Sequence, residues 1–319
     1  MRKFKLNAWQ KELTLEFANN PQDIGRATAR RYGVPWSSCF DMKQRLLKGL
    51  VSYEDAIKKP NILLFDIETA PILAHVWTIW NANVGLNQIQ EDWYMLSWAA
   101  KWLGEDEIYS DSLPNYAVFE ANPEYDRYII ETLWKMLDEA DIVIGHNLRK
   151  FDDRKFRARC LYHGLPEPSS YRMVDTLKIA KKSFALTSNK LDFLATLLKL
   201  PNKVSHEGHT LWVKCMAGDP NAWETMMEYN EYDVELLEEV YLKIRHWDDT
   251  HPNVAVYYND KVRRCPTCGS DDLEEEGTAK TNLSEFTEYR CNCCSKISRN
   301  GSNLLDKTKR SSLNRNIAR

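Results

Sequence analysis

"NILLFDIETA", residues 61–70, is the stretch on which the fold turns. Ile62 to Phe65 read as a hydrophobic strand, and two acids, Asp66 and Glu68, break into the pattern at its carboxyl end. Successive strand side chains alternate faces, so Asp66 and Glu68 point one way while Phe65 and Ile67 point into packing. In an open α/β sheet, ligands bind at the carboxyl ends of the strands. Two desolvated carboxylates on one face resist ionising together. A hard divalent cation, Mg²⁺ or Mn²⁺, supplies the compensating charge and keeps waters that chemistry can use. Strand ends often carry acids, however, so D-x-E is weak evidence until other acids join it.

Outward from that strand, residues 61–250 alternate strand and helix. Apolar runs at "WYMLSWAAKW" (93–102), "EIYSD" (107–111) and "DIVIG" (141–145) read as further strands, with "GEDE" (104–107) turning the second into the third. Helical periods follow at 124–139, 149–163, 189–199 and 222–246. A hairpin among parallel crossovers predicts an α/β domain with a mixed sheet.

Two of these segments supply further acids. In "DIVIGHNLRKFDDRKFRARCLYHG" (141–164) the strand ends at Gly145, His146 and Asn147 lie in the turn, and Gly164 stops a helix begun near Arg149. Asp152 lies in the first turn and shares a face with Phe156 and Cys160, in place to be a third ligand; Asp153 points elsewhere. Either acid alternatively complements the helix dipole. In "AWETMMEYNEYDVELLEEVYLKI" (222–244) an apolar stripe runs Met226, Tyr229, Leu236, Leu237, Val240, Ile244, and Asp233 occupies a place where the period calls for a hydrophobe. Tyr229, one turn earlier, presents a phenol on the same face. A buried tyrosine bonded to an aspartate is the structural alternative.

The flanks differ in texture. The formal charge of −3 conceals a net +6 over residues 1–60, +6 over 295–319, and −15 between them. Basic ends around an acidic centre suit a protein that grips a polyanion at its edges and concentrates carboxylates for cations in the middle. In residues 1–60, "NPQDIGRATARRYG" (20–33) and "VPWSSCFDMKQRLLKG" (34–49) read as two helices around Gly33, a helix-turn-helix candidate. Ala29 is the small residue at the helix contact, Val34, Cys39 and Met42 face inward, and Ser37, Ser38, Lys43, Gln44 and Arg45 are left for a nucleic-acid groove. Simple packing on the main domain explains the pair equally well. Cys265, Cys268, Cys291 and Cys294 give C-x-x-C, 22 residues, C-x-x-C, the pattern of a zinc ribbon over 261–298, in which Cys293 competes for the fourth position. Four thiolates leave no open position for catalysis. Cys39, Cys160 and Cys215 read as small buried residues, and residues 299–319 as a basic disordered tail. No apolar run reaches membrane length and the start lacks a secretory pattern, so the expectation is a cytoplasmic protein with no membrane partner.

D-x-E, N-x-x-x-F-D and Y-x-x-x-D, in that order, resemble the DEDD (DnaQ-like) superfamily of 3′-to-5′ exonucleases on the RNase H-like fold, in its tyrosine-bearing subclass. The resemblance covers residues 61–245. Asp66 and Glu68 match the first motif, Asn147, Phe151 and Asp152 the second, Tyr229 and Asp233 the third. "VDTL" (174–177) and "NKLDFLATLLKL" (189–200) are also similar to that family, specifically to exonucleases related to the proofreading domain of family B polymerases. The resemblance implies two Mg²⁺ or Mn²⁺ ions about 3.5–4 Å apart on the scissile phosphate. Asp66 would bridge them, Glu68, Asp152 and Asp233 would complete their shells, Tyr229 would hydrogen-bond the attacking water, and Asn147 would touch nucleic acid. One structural Zn²⁺ would stand apart from the chemistry.

The expected protein is therefore an RNase H-like mixed sheet flanked by helices, with a small N-terminal helical module and a C-terminal zinc ribbon. It would degrade DNA or RNA from a 3′ end, alongside replication or repair proteins, a combination that resembles bacteriophage accessory proteins. Trp77, Trp80 and Trp93 are candidates to stack terminal bases. A non-catalytic nucleic-acid-binding adaptor gains nothing from four converging carboxylates, and a structure-selective RNase H-like endonuclease is disfavoured by the Tyr229/Asp233 helix.

Overall fold

The computed structural model describes residues 6–19, 24–51, 56–201 and 207–315. The chain forms two units, residues 1–60 with 254–264, and residues 61–253 with 265–319. The cysteine-rich segment, read as a module apart, thus belongs to the same unit as the sheet. The stretch before it returns to the N-terminal unit, where the Lys58 amide donates to Asn259 Oδ1 at 2.8 Å.

The N-terminal unit contains α1 (Ala8–Asn19), α2 (Arg26–Arg31) and α3 (Trp36–Leu47). Its core is Leu6, Leu13, Ile24, Ala29, Cys39, Met42, Val51 and Ala56. Gly33, at φ +62, makes the α2–α3 turn, which needs a left-handed residue, and the Val34 amide closes it on the Ala29 carbonyl at 3.0 Å. Residues 20–23, read as the start of the first helix of this pair, lie outside the described residues. Ser37 is exposed, while Ser38, Lys43, Gln44 and Arg45 are half-buried. The Lys43 ammonium donates to the Ile24 carbonyl at 3.0 Å, and Arg45 pairs with Asp41 one turn away at 3.0 Å.

The second unit is built on β1 (Ile62–Thr69), a short ladder of β2 (Leu73–Ala74) and β3 (Ile89–Glu91), then β4 (Met95–Trp102), β5 (Ile108–Ser112), α4 (Arg127–Glu139), β6 (Ile142–Gly145), α5 (Asp152–His163), β7 (Arg172–Asp175), α6 (Thr176–Ser183), α7 (Leu191–Leu197), α8 (His209–Met216) and α9 (Pro220–Ile244). The main sheet has order β5-β4-β1-β6-β7. β1 pairs antiparallel with β4 and parallel with β6, and β6 runs parallel to β7, so the sheet is mixed. A central strand covered on both faces must be apolar on both, and Ile62 to Phe65 are all buried. Alternation begins only where β1 outruns β6: Ile67 is buried, and Asp66 and Glu68 are partly exposed. α9 packs across β1 and β4, held at its far end by Glu238, whose carboxylate takes the Gly104 amide and the Lys101 ammonium.

Besides the short β2–β3 ladder, three elements of this unit were not anticipated. β7 has four residues, too few for alternation to register, and α6 and α8 have eight each. The helix expected from Arg149 begins at Asp152 instead. Asn147, at φ +71, and the following residues form turns, because the Asp175 carboxylate draws in the Asn147 and Arg149 amides at 3.0 and 3.3 Å.

The ribbon comprises β8 (Leu273–Lys280), β9 (Glu285–Cys291) and β10 (Ile297–Asn303), in order β10-β9-β8. The expectation of a disordered tail from residue 299 is corrected: residues 299–303 belong to β10, and α10 (Lys307–Ser311) follows, capped by Asp306. An edge strand needs only backbone partners, which its polar composition does not reveal. The Lys296 ammonium donates to the carbonyls of His246 and Asp248, so the ribbon is pinned just past the C-terminal end of α9.

Candidate active site

Carboxylate oxygens of Asp66, Glu68 and Asp233 all lie within 4.8 Å of one another. The i, i+2 spacing on β1 turns the first two to one side, and α9 crosses that side with Asp233 in its buried stripe. Two unit charges 4.8 Å apart repel by roughly 3 kcal/mol at an effective dielectric of about 20, less where solvent screens them. Three such carboxylates held together by the fold could hold a cation, and their oxygen donors suit Mg²⁺ or Mn²⁺.

Tyr229 is buried one turn before Asp233, and Trp212 meets its ring edge-on with centroids 6.0 Å apart. Burial, then the charges of Asp233, Glu68 and Asp66, push its phenol far above the ordinary tyrosine range. The hydrogen bond between the phenol and Asp233 acts in the same direction, so the buried tyrosine is bonded to the aspartate as the structural alternative had it.

Asp152 does not join the three. It is buried, and its carboxyl is pushed up to about 7, chiefly by burial; its own amide and that of Ile67 favour the charged form, while Asp175 and Asp153 oppose it. The Ile67 amide lies between Asp66 and Glu68 in β1, so Asp152 faces the backbone that carries both acids. Asp153, expected to point elsewhere, is also buried: it accepts from Tyr171 Oη at 2.6 Å and from Arg157 Nε at 3.0 Å. Of the proposed stacking residues, Trp77 and Trp80 are 98% and 79% exposed, and Trp93 is half-buried beneath the Lys155 ammonium, 3.8 Å from its ring centre.

Two residues around the cluster escaped the sequence reading. Asn230, fully buried, donates from Nδ2 to Asp66 Oδ2 at 2.9 Å and accepts from Ser97 Oγ at 3.0 Å. Its signal was present: Met226 and Val234, one turn to either side, are both fully buried, so a polar residue interrupts that row as Asp233 interrupts its neighbour. Trp212 donates from Nε1 to Glu68 Oε2 at 3.2 Å, but it sits on α8, which the periodicity did not reveal.

The second cluster is sulfur. Cys265, Cys268, Cys291 and Cys294 converge, with Sγ atoms 3.6 Å apart in both the Cys265–Cys294 and Cys268–Cys291 pairs. A tetrahedral Zn²⁺ with Zn–S bonds of about 2.3 Å requires sulfurs about 3.8 Å apart, so the thiols fit a structural zinc. Each knuckle turns back on its first cysteine: the Gly269 amide donates to the Cys265 carbonyl at 3.0 Å, the Ser295 amide to the Cys291 carbonyl at 2.8 Å. Gly269 and Ser295 both have positive φ. Cys293 is exposed and outside the group, while Cys39, Cys160 and Cys215 are buried as expected.

The fold is that of an α/β protein with a five-stranded mixed sheet flanked by helices, in which paired strand acids meet an acid on a crossing helix and could hold divalent cations. The chain belongs to the RNase H superfamily, whose profile matches residues 63–245. No curated protein matches the chain. Among solved structures it is similar to the family B DNA polymerase from the hyperthermophilic archaeon Pyrobaculum calidifontis, at 17% identity and a TM-score of 0.44, over 59% of this chain and 25% of that one. The chain thus spans a quarter of that polymerase's length. Among the described residues, no helix is long and apolar enough to cross a membrane.

Proposed function

We propose that this protein is a metal-dependent 3′-to-5′ exonuclease that hydrolyses phosphodiester bonds of DNA or RNA, in the tyrosine-bearing DEDD subclass. The observation that carries the reading is the convergence of Asp66, Glu68 and Asp233 one helical turn from the buried Tyr229. Bound divalent cations, two in the mechanism we favour, would lower the pKa of water to make the nucleophile and neutralise charge on the leaving oxygen. Asp66, Glu68 and Asp233 would hold them. Asn230 fixes the Asp66 rotamer and Trp212 that of Glu68. Tyr229 donates its O–H to the attacking water or a phosphate oxygen, orienting it without removing a proton. Asp152, with the Ile67 amide, supports the strand end and completes the outer shell. In the helical unit, Ser37, Lys43, Gln44 and Arg45 offer polar and basic groups to nucleic acid, with the Lys43 ammonium anchored on the Ile24 carbonyl.

The test uses single strands labelled at either end, with Mg²⁺ or Mn²⁺. A 5′ label should persist on a shortening ladder, a 3′ label should leave first as a mononucleotide, and Asp66→Ala should abolish both. Absence of metal-dependent cleavage, or activity surviving Asp66→Ala, overturns the reading.

A further inference from the structure

Between β1 and β4 the chain makes an excursion that the carboxylate cluster does not use. Residues 71–90, "PILAHVWTIWNANVGLNQIQ", hold no lysine, arginine, aspartate or glutamate, in a chain that is 28% charged. Their large apolar side chains nevertheless face outward. Trp77 is 98% exposed, Leu86 89%, Ile79 82% and Trp80 79%, while Ile72 and Leu73 are about half exposed. Exposed hydrophobes scattered singly are ordinary, but a run of them within one uncharged segment marks a surface that meets another.

The excursion is held in place without being covered. At its base the Ala70 amide donates to the Tyr94 carbonyl at 2.9 Å, and Leu73 on β2 stands opposite Glu91 on β3. Further out, the His75 amide donates to the Gln88 carbonyl at 2.9 Å, and Gln88 Nε2 returns a bond to the His75 carbonyl at 2.8 Å. Among the described residues no third strand joins this ladder. A lone two-stranded hairpin is marginal in water and gains stability when its apolar residues are packed.

The exposed area is that of a dimer contact. At about 200 Å² for a tryptophan and about 100 Å² for an aliphatic side chain, these six residues offer about 600 Å² of apolar surface. That is the upper end for a patch on a monomer, about 300–600 Å². Homodimer interfaces are about 65% apolar, so this patch supports about 900 Å² per copy, against roughly 800 Å² for a standard interface.

Charge selects the occupant. Nucleic acid and anionic lipid are met with lysine and arginine, of which the segment has none, and Glu91 and Asp92 at its base repel both. A partner chosen by charge complementarity finds no charge to read. A second copy needs none. Across a two-fold axis the uncharged tip meets itself, and the exposed Asn81, Asn83 and Asn87 carry amides that both donate and accept, so each can pair with an identical group.

We propose that residues 71–90 are the contact through which two copies of this chain form a two-fold dimer, with Trp77, Ile79, Trp80 and Leu86 of each copy covered by the same segment of the other. The inference goes beyond the nuclease reading and does not depend on it.

The test is sedimentation velocity of the full chain from about 0.1 to 100 μM, a range set by the micromolar-to-picomolar affinities of interfaces of this size. At the upper end the wild type should show twice the 37.3 kDa mass of one chain. Trp77→Glu/Trp80→Glu should be monomeric throughout, with unchanged circular dichroism. Trp77→Ala/Trp80→Ala should raise the dissociation constant by about 30-fold or more per tryptophan, the worth of an interface hot spot. Leu161→Glu puts the same charge on α5 at a leucine that is 83% exposed, and should leave the dimer intact. A wild type that is monomeric at the highest concentration, or a Trp77→Glu/Trp80→Glu variant that dimerises like the wild type, overturns the proposal. So does a Leu161→Glu variant that is equally monomeric, because added charge rather than this contact would then break the dimer. A monomeric wild type whose oligonucleotide binding in EDTA is lost in the tryptophan variants overturns it in favour of a nucleic-acid face.

Discussion

Asn230 offers the sharpest test of how the carboxylates are held. Asn230→Ala removes the 2.9 Å bond to Asp66 Oδ2 and deprives the buried Ser97 hydroxyl of its acceptor at 3.0 Å. A hydrogen bond to a charged group contributes about 1.5–3 kcal/mol, which at 1.36 kcal/mol per decade is about 10- to 150-fold. Because the bond orients a ligand rather than touching substrate, the loss belongs to metal affinity, where such outer partners are typically worth about 10- to 100-fold. The assay is Mn²⁺ titration of both proteins, followed by cleavage rate against Mn²⁺ concentration. We expect the Mn²⁺ Kd to rise by one to two decades and most of kcat to return at saturating Mn²⁺. A purely structural defect would instead lower the melting temperature and depress kcat at every metal concentration. A folded Asn230→Ala protein with wild-type Mn²⁺ affinity and rate would refute the assignment of Asp66 as an Asn230-positioned ligand.

Tyr229→Phe keeps the ring packed on Trp212 and deletes only the donor, so Mn²⁺ binding should persist while kcat falls by about 10- to 100-fold, the worth of one hydrogen bond to a charged group; an undiminished kcat contradicts the role. Asp126 is fully buried and accepts from Arg159 at 2.6 Å twice, from the Met95 amide at 2.8 Å, and lies 2.6 Å from His163 Nε2. Asp126→Asn strands the buried guanidinium and should cost about 3–5 kcal/mol in urea denaturation; a loss below 1 kcal/mol would show the ion pair to be dispensable. Purified protein should contain one zinc per chain, and Cys265→Ser should lose it; a zinc content near zero in the wild type removes the ribbon assignment.

Much of the fold was legible because it is written in local periods. The β1, β4, β5 and β6 runs, Gly33 and Gly164 as helix-end signals, and the buried stripe of α9 all follow from backbone repeats acting within one element. What was lost was short or held by distant partners. β7 exists because β6 offers it a ladder, as β9 does for β10, and the Asp175 carboxylate at the end of β7 gathers amides from the Asn147 turn and the start of α6. Trp212 was invisible as a site residue because α8 itself was.

By itself, the sequence determined relations inside elements: Asp66 and Glu68 on one strand face, Tyr229 and Asp233 one helical turn apart, cysteines at knuckle spacing. Backbone geometry imposes these wherever the element forms. Which elements meet was decided only by tertiary packing. The crossing of α9 over β1 selects Asp233 as the third carboxylate, while the displaced start of α5 turns Asp152 toward the Ile67 backbone and away from that group. Side chains on separate elements converge according to how helices lie on the sheet, an angle that no single segment's pattern contains.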